Sequence, residues 1–534
     1  MRRAETPAAT KDDVRLGPFK PADLLLLATL LPLLGFGAYS FATCHDPRVL
    51  IPILLGGIGL VAIWAVVRFV RVGDFEFVAH VIFPVVLCVL CVSNAIFFTP
   101  ASAPDEEYHY KKAYTTANLI MGDMEPLEMR NEDVAFSRNQ ATFALFVEAQ
   151  YWNELPNVGL FATQDGHQPG VPRYCAFDLS IDLPQFRLPA ALGIIVGKAL
   201  GLSGYVTFLL GRLFNALYAV ALVALAVRLA PVGKNALMAV SLLPMCLHLF
   251  GSYSYDVGSL GLSFLVVALL LRLFYGKGQV SLPLMTGFVL CSMLLAPGKV
   301  VYAIIGLLCV LVPNDRFSSR RTAVCFKCVA VLMTVACLAV LSYTRIATTL
   351  GSDVAADPNV PDHRGQEKGT FYTLGDIVSH PVESLRFFAH SMVVQGPFYL
   401  KTLVGGSLGG FQRNIKAPHW LSALLLVSLL FGALRAKDDD RVMGRPLRIG
   451  FVVTFVVGTL GIILSMWTGW TFVTDSYIHG VQGRYLLPFV PGMLLAIRPR
   501  RLRVPWSMGL VIVMSFLSLE CLYLSHICRA VLMA

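Results

Sequence analysis

The chain has 534 residues, of which 56% are hydrophobic and only 14% charged, and its mean hydropathy is +0.67; an ordinary globular chain carries about 25% charge. That composition excludes a soluble domain, because lipid must replace water around most of the surface. The formal net charge of +10 does not point to nucleic acid: the basic residues sit in short hydrophilic breaks between apolar runs, where they serve topology and anionic lipid headgroups.

In chain order, Met1 to Lys20 is polar and short. The apolar run after it is too long for a cleaved signal peptide, so the N-terminus is expected to be retained. A helix needs roughly 20 apolar residues to cross the hydrocarbon core. The runs Leu24–Tyr39, Val49–Val70, Phe77–Phe98 and Val324–Leu341 approach or reach that length, and none alternates as a membrane strand would. Spans are expected at about 22–40, 50–69, 77–98, 212–229, 235–251, 257–273, 281–296, 299–312, 324–344, 418–435, 449–467, 485–497 and 505–527. The pair separated by Pro297 and Gly298 reads as a kinked or discontinuous element.

Charge bias orients these spans. Arg2, Arg3, Arg68 with Arg71, Arg228 with Lys234, Arg272 with Lys277, the Arg316–Arg321 cluster with Lys327, the Arg435–Arg448 segment and Arg498–Arg503 all fall on one side, expected to be the cytoplasm. The N-terminus is then inside and the C-terminus outside. Two long hydrophilic stretches, Thr99 to about Leu188 and about Thr344 to Ala417, fall on the outer face, so a folded site is expected there. Within the first, Phe186–Leu200 is too short to span comfortably and reads as an interfacial amphipathic helix; were it to cross, the parity of every later segment would change. Of the 12 cysteines most lie in apolar runs as small buried hydrophobes. Cys44 and Cys175 are expected on the outer face, where a disulfide between them is open but not the favoured reading.

The densest group of chemical side chains is Pro104-Asp105-Glu106-Glu107-Tyr108-His109. If a helix starts there, Pro104 belongs near its start and the acids in its electropositive first turn, with His109 on the face of Asp105 and Glu106. A carboxylate at the membrane boundary can deprotonate a hydroxyl or hold a divalent cation; an ordinary solvated first turn accounts for the same residues. The second group is Gln482-Gly483-Arg484-Tyr485, where an arginine enters an apolar span from its outer end. A buried guanidinium needs an anion, either a phosphate held by its fork or a structural carboxylate. Arg212, Asp256 and Lys299 also sit at outer ends of spans, matched in depth with Arg484 and Asp105. His45, His167, His363 and His380 show no metal-ligand spacing. No phosphate-binding glycine loop, dinucleotide fingerprint or nucleophile elbow is present, so an enzyme of this design needs an energy-rich substrate delivered through the membrane.

The runs PDEEYH, GRLFNAL at Gly211–Leu217, SYDVGS at Ser254–Ser259, GKVVY at Gly298–Tyr302 and GVQGRYLLPFVP at Gly480–Pro491 together resemble the DUF2142 family of bacterial polytopic membrane proteins, over roughly Phe77 to Phe516. That family resembles in turn the GT-C glycosyltransferase superfamily. The resemblance implies an all-α polytopic transmembrane protein, a GT-C-like helical bundle of about thirteen spans with outer-face loops. Residues 1–76 would hold the cytoplasmic N-terminus and two additional helices, and 77–534 the membrane domain with outer loops at about 99–211 and 345–417, in a bacterial cytoplasmic membrane. It further implies transfer of a sugar from a polyprenyl-phosphate-linked donor to a hydroxyl of an envelope glycan, lipid or protein. Asp105 would act as base with Glu106 assisting, and Arg212, Asp256, Lys299, Arg484, Tyr485 and His109 would bind substrate or phosphate. A divalent cation, Mg or Mn, would need substrate oxygens to complete the ligands that Asp105, Glu106 and His109 offer, so no metal is assigned. Gly409-Gly410 stands where such enzymes carry a Gly-Trp pair. A flippase or transporter of polyprenyl-linked glycans, and a non-catalytic envelope-assembly protein, are the competing classes; the first predicts inverted repeats and ionisable groups near the bilayer midplane.

Overall fold

The computed structural model describes residues 20–70, 74–123, 125–137, 148–177, 183–341, 343, 363–364, 367–368, 370–408 and 415–533. Arg2, Arg3, Arg71, Gly409 and Gly410 lie outside them. The chain is an all-α polytopic membrane protein. Among the described residues eight helices are long and apolar enough to cross a membrane: Pro21–Cys44, Pro47–Val70, Phe75–Phe97, Gly204–Leu229, Asp256–Tyr275, Arg320–Leu341, Arg445–Trp470 and Met508–Leu532. Leu282–Leu295, Val300–Leu311, His419–Ala433 and Gly483–Ile497 are apolar but shorter. A further stretch is broken into Lys234–Ser241 and Pro244–Phe250 by Leu242 and Leu243. Counted by length and composition the spans number eight, and the expected thirteen is reached only by adding the short and broken elements.

Asp256–Tyr275 lies at the centre and is buried along nearly all its length, packed by Gly204–Leu229 and Leu282–Leu295. Pro21–Cys44 and Pro47–Val70 lean on Met508–Leu532 and expose Leu24, Leu31, Leu54 and Ile58, the belt that lipid covers. The helix expected to continue through residue 296 stops at Leu295, and Pro297 and Gly298 separate it from a partly 3-10 segment that starts at Val300. Lys299 sits in that break, where the ladder of backbone hydrogen bonds is interrupted.

The described residues between Phe98 and Ser203 fold into a cap with its own core. Tyr110, Tyr114, Tyr151, Phe136, Tyr205, Phe208 and Tyr253 are buried together, and the hydroxyls of Tyr114, Tyr151, Tyr205 and Tyr253 find partners, as buried tyrosines usually do. Tyr114 donates to Asp133 (2.6 Å), Tyr253 to the Phe208 carbonyl (2.8 Å), and Tyr151 to the Ile96 carbonyl (2.7 Å). Among the described residues sheet is confined to two- and three-residue ladders such as Glu128–Arg130 against His167–Pro169, antiparallel. The Phe186–Leu200 segment is one helix, Pro184–Ala199, of 16 residues. It packs closely on Gly204–Leu229 and on the cap helix Glu106–Met121. Cys175 is buried within the cap, and Cys44 and Cys175 each keep a thiol rather than sharing a disulfide. In the second hydrophilic stretch the structure places a 24-residue helix, Pro381–Val404, which exposes Val382, Leu385 and Val393. Its charged residues hide this apolar face from a hydropathy reading.

One acid stands alone inside the bundle. Glu520, 1% exposed and in the middle of Met508–Leu532, accepts from Asn94 Nδ2 at 2.9 Å. Its second oxygen and the Asn94 Oδ1 have no partner among the described residues. An unanswered polar group in this setting costs on the order of 1–3 kcal/mol. Glu520→Gln supplies a donor for Asn94 Oδ1, so the variant is expected to unfold at a higher temperature than the parent in detergent; a lower midpoint would show that the carboxylate itself holds the helices together.

Candidate functional site

The helices run so that one set of motif charges gathers at a single end. Arg212 lies in the third turn of Gly204–Leu229 and Arg228 in its last, about 24 Å apart at 1.5 Å per residue; Asp256 and Arg272, and Arg484 and Arg498, lie towards opposite ends of their segments in the same order. Arg212, Asp256, Lys299 and Arg484 therefore share the end that charge bias assigns to the outside.

Glu106 and Arg212 form a closed clasp there. Arg212 donates through Nε to Glu106 Oε1 (2.8 Å) and through Nη2 to Oε2 (2.7 Å). Its remaining N–H groups reach the carbonyls of Ala95 (2.9 Å), Phe98 (2.6 Å) and Thr99 (2.8 Å). Glu106 also accepts from the backbone N–H groups of Tyr253 (3.1 Å) and Ala103 (3.3 Å). Both residues are 1% exposed. Glu106, expected to share in catalysis, and Arg212, expected on a phosphate, are bonded to each other in the structure.

Asp105, one residue earlier, has the opposite fate. It is not in the first turn of the helix but caps Glu106–Met121 from a left-handed backbone conformation, φ 59°, which aspartate tolerates better than most residues. Its side chain is 69% exposed, with a carboxylate oxygen 3.8 Å from Arg484 Nη2.

Arg484 is the centre of the group. Its side chain is 4% exposed, its Nη1 lies 3.8 Å from Asp256, and Nη2 donates to the Tyr485 hydroxyl at 3.1 Å. Its Nε has no partner among the described residues. Asp256 is engaged more closely by Lys299, at 2.8 Å. The Lys299 ammonium rests 3.9 Å from the Tyr485 ring centroid, with Tyr255 and Tyr302 at 5.3 and 5.8 Å, a partial aromatic cage that holds a cation in place. Gly483 lets this happen: a Cβ there would stand 1.8 Å from the Tyr399 carbonyl of Pro381–Val404.

His109 turns away from both acids. Its Nδ1 is 2.9 Å from Arg187 Nη1; guanidinium only donates, so Nδ1 accepts and the neutral ring carries its proton on Nε2. Burial, then the charges of Arg187, Arg484 and Lys299, hold its imidazole well below the ordinary value. Asp105, Glu106 and His109 thus point to three different partners and share no ligand set. Arg187, 2% exposed, and Tyr255 are additions that the sequence reading missed. The signal for Arg187 was present, since it is an arginine inside an apolar run by the same criterion that singled out Arg484.

Together Arg187, Lys299 and Arg484 set three fixed cations against Asp105 and Asp256, with His109 neutral. Within this group of described residues the cations outnumber the carboxylates.

A profile of the family described as "Predicted membrane protein (DUF2142)" matches residues 180–493. The chain belongs to the DUF2142 family. The match contains all three cations, Asp256 and Tyr485, while Asp105, Glu106 and His109 precede it, so the DUF2142 pattern is narrower than the Phe77 to Phe516 expected. No curated protein and no solved structure matches the chain.

The depressed His109 basicity has a pH consequence. Unfolded, the ring takes up a proton below about pH 6.5; folded, it does not until much lower pH. Stability is therefore complete above that value and is lost as pH falls, with a slope of up to about 1.4 kcal/mol per pH unit. In thermal unfolding between pH 7.5 and 5, His109→Gln is expected to flatten this loss; parallel profiles for parent and variant would refute it.

Proposed function

We propose that this DUF2142 protein transfers a sugar from a polyprenyl-phosphate-linked donor to a hydroxyl of an envelope glycan, glycolipid or protein, at the outer face of a bacterial cytoplasmic membrane. The observation that carries the reading is the pairing of an accessible carboxylate, Asp105, with the buried and incompletely answered guanidinium of Arg484. A carboxylate open to solvent can take a proton from an acceptor, and a buried fork with a spare donor suits phosphate oxygens.

In this reaction the acceptor oxygen loses its proton to Asp105 and bonds to the anomeric carbon. The bond from that carbon to the phosphate oxygen breaks, and its electron pair leaves with the lipid phosphate. Arg484, Lys299 and Arg187 stabilise that developing charge, with Asp256 and Tyr485 fixing Lys299 and Arg484 in position. Direct displacement inverts the anomeric centre, and Glu106 with Arg212 holds the base-bearing turn over the bundle. His109, neutral, orients Arg187. The likeness of the motifs to GT-C enzymes supports the same reaction class, and the DUF2142 match supports a membrane protein.

One observation favours a second reading, a flippase for polyprenyl-linked glycans: Glu520 is an ionisable group near the middle of a span, and such groups mark translocation pathways more often than catalytic surfaces.

The test is sugar transfer from a panel of radiolabelled polyprenyl-phosphate sugars in proteoliposomes, with envelope extract as acceptor. At matched folded protein, Asp105→Asn is expected to lower the rate about 10²- to 10⁴-fold and Arg484→Ala to abolish productive donor use. Labelled lipid that crosses the bilayer with no transfer from any donor, and that stops crossing in Glu520→Gln, would establish the flippase instead. Transfer unaffected by Asp105→Asn would remove the base assignment.

A further inference from the structure

The opposite end of the bundle holds a second group of charges, which the proposed reaction does not use. A cavity of about 530 Å³ opens there, lined by the ends of Gly204–Leu229 and Asp256–Tyr275, the start of Leu282–Leu295 and the Asp438–Asp439 turn. Its charged walls are unequally answered. Lys234 is neutralised by Glu76, which takes its ammonium at 2.8 Å on both oxygens. Asp439 is taken by Arg498, at 2.9 Å through each of its two terminal nitrogens. Four cations then remain, Arg228, Arg272, Lys277 and Arg316, against the single carboxylate of Asp438, one of whose oxygens is already bonded to Ser507 and the Gly509 backbone.

Helix dipoles explain part of this. Arg228 and Arg272 lie in last turns, where a cation is favoured, and Arg316 donates to the carbonyls of Leu273 (3.0 Å) and Gly276 (2.7 Å). Carbonyl dipoles orient a guanidinium but do not cancel its charge. Arg228 and Lys277 have no hydrogen-bond or ion-pair partner among the described residues, and both line the cavity. The same cavity has an apolar wall: Leu229, Val280 and Leu284 line it. Leu284 belongs to a helix that exposes Leu282, Leu290 and Leu294, the surface that faces acyl chains in a membrane protein.

We propose that this cavity binds the phosphate of an anionic membrane phospholipid, with Arg228 and Lys277 on the phosphate oxygens and Leu284 along the first methylenes of the tail. Basic recesses between helices at the cytoplasmic boundary suit such headgroups, and the site stands or falls independently of the sugar-transfer reading.

Full-length protein, delipidated in detergent, is titrated with phosphatidylglycerol, phosphatidylcholine or inorganic phosphate, with native mass spectrometry and the thermal midpoint as readouts. The Arg228→Gln/Lys277→Gln double variant is compared with Arg320→Gln/Arg321→Gln, which removes the same charge from exposed residues outside the cavity. The expected result is phosphatidylglycerol retention and stabilisation in the parent and in the Arg320/Arg321 control, weakened at least tenfold in the cavity double variant, with little response to phosphatidylcholine. Lys277→Gln alone, at an exposed turn residue, gives the same direction if the double variant does not fold. Equal losses in the two double variants would reduce the effect to general surface charge and overturn the site. Displacement of the lipid by millimolar inorganic phosphate, with equal stabilisation, would overturn the lipid assignment in favour of a soluble phosphate compound.

Discussion

The arrangement at the motif-bearing end depends on the clasp between Arg212 and Glu106. It ties together the end of Phe75–Phe97, the turn that carries Asp105, the Gly204–Leu229 helix and the backbone at Tyr253. A buried guanidinium is costly unless its donors are answered, and here five N–H groups meet two carboxylate oxygens and three carbonyls. Because the pair is saturated, it can anchor the turn without competing for a substrate. The same saturation leaves Asp105 and Arg484, the incompletely answered groups next to it, as the ones free to act on something else.

Much of the fold was legible because apolar run length and the sign of flanking charge are properties of the chain itself. The break at Pro297-Gly298, the short Phe186–Leu200 segment and the common depth of Arg212, Asp256, Lys299 and Arg484 could all be read that way. What spacing could not give was the identity of each partner. Asp105 and Glu106 are neighbours of the same chemistry, yet a left-handed cap turns one to solvent and the other into the bundle, and only the tertiary structure decides which. Arg187 was visible as an arginine in an apolar run, but its partners His109 and Tyr255 are distant in sequence and could not be read from it. The Pro381–Val404 helix was read as part of a hydrophilic loop because Glu383, Arg386, His390 and Lys401 dilute a face that is apolar only in three dimensions.

The two ends of the bundle answer the cost of buried charge in different ways. At one end the clasp, the tyrosine-caged Lys299 and Arg484 concentrate cations beneath a folded cap. At the other, Asp439 with Arg498 and Glu76 with Lys234 close two pairs and leave a basic recess beside lipid. Glu520 lies between them with only an amide for company. A protein that handles a lipid-linked anion would have use for both ends, the first for the headgroup undergoing reaction and the second for the membrane that surrounds it.

The most direct measurement is the binding of a short-chain polyprenyl phosphate to the purified full-length protein by native mass spectrometry, set against the same polyprenol without its phosphate. Saturable retention of the phosphate form, weak binding of the alcohol, and loss of the difference in Arg484→Gln are the results the account predicts. Equal binding of phosphate and alcohol, or a preference that survives Arg484→Gln, would contradict it.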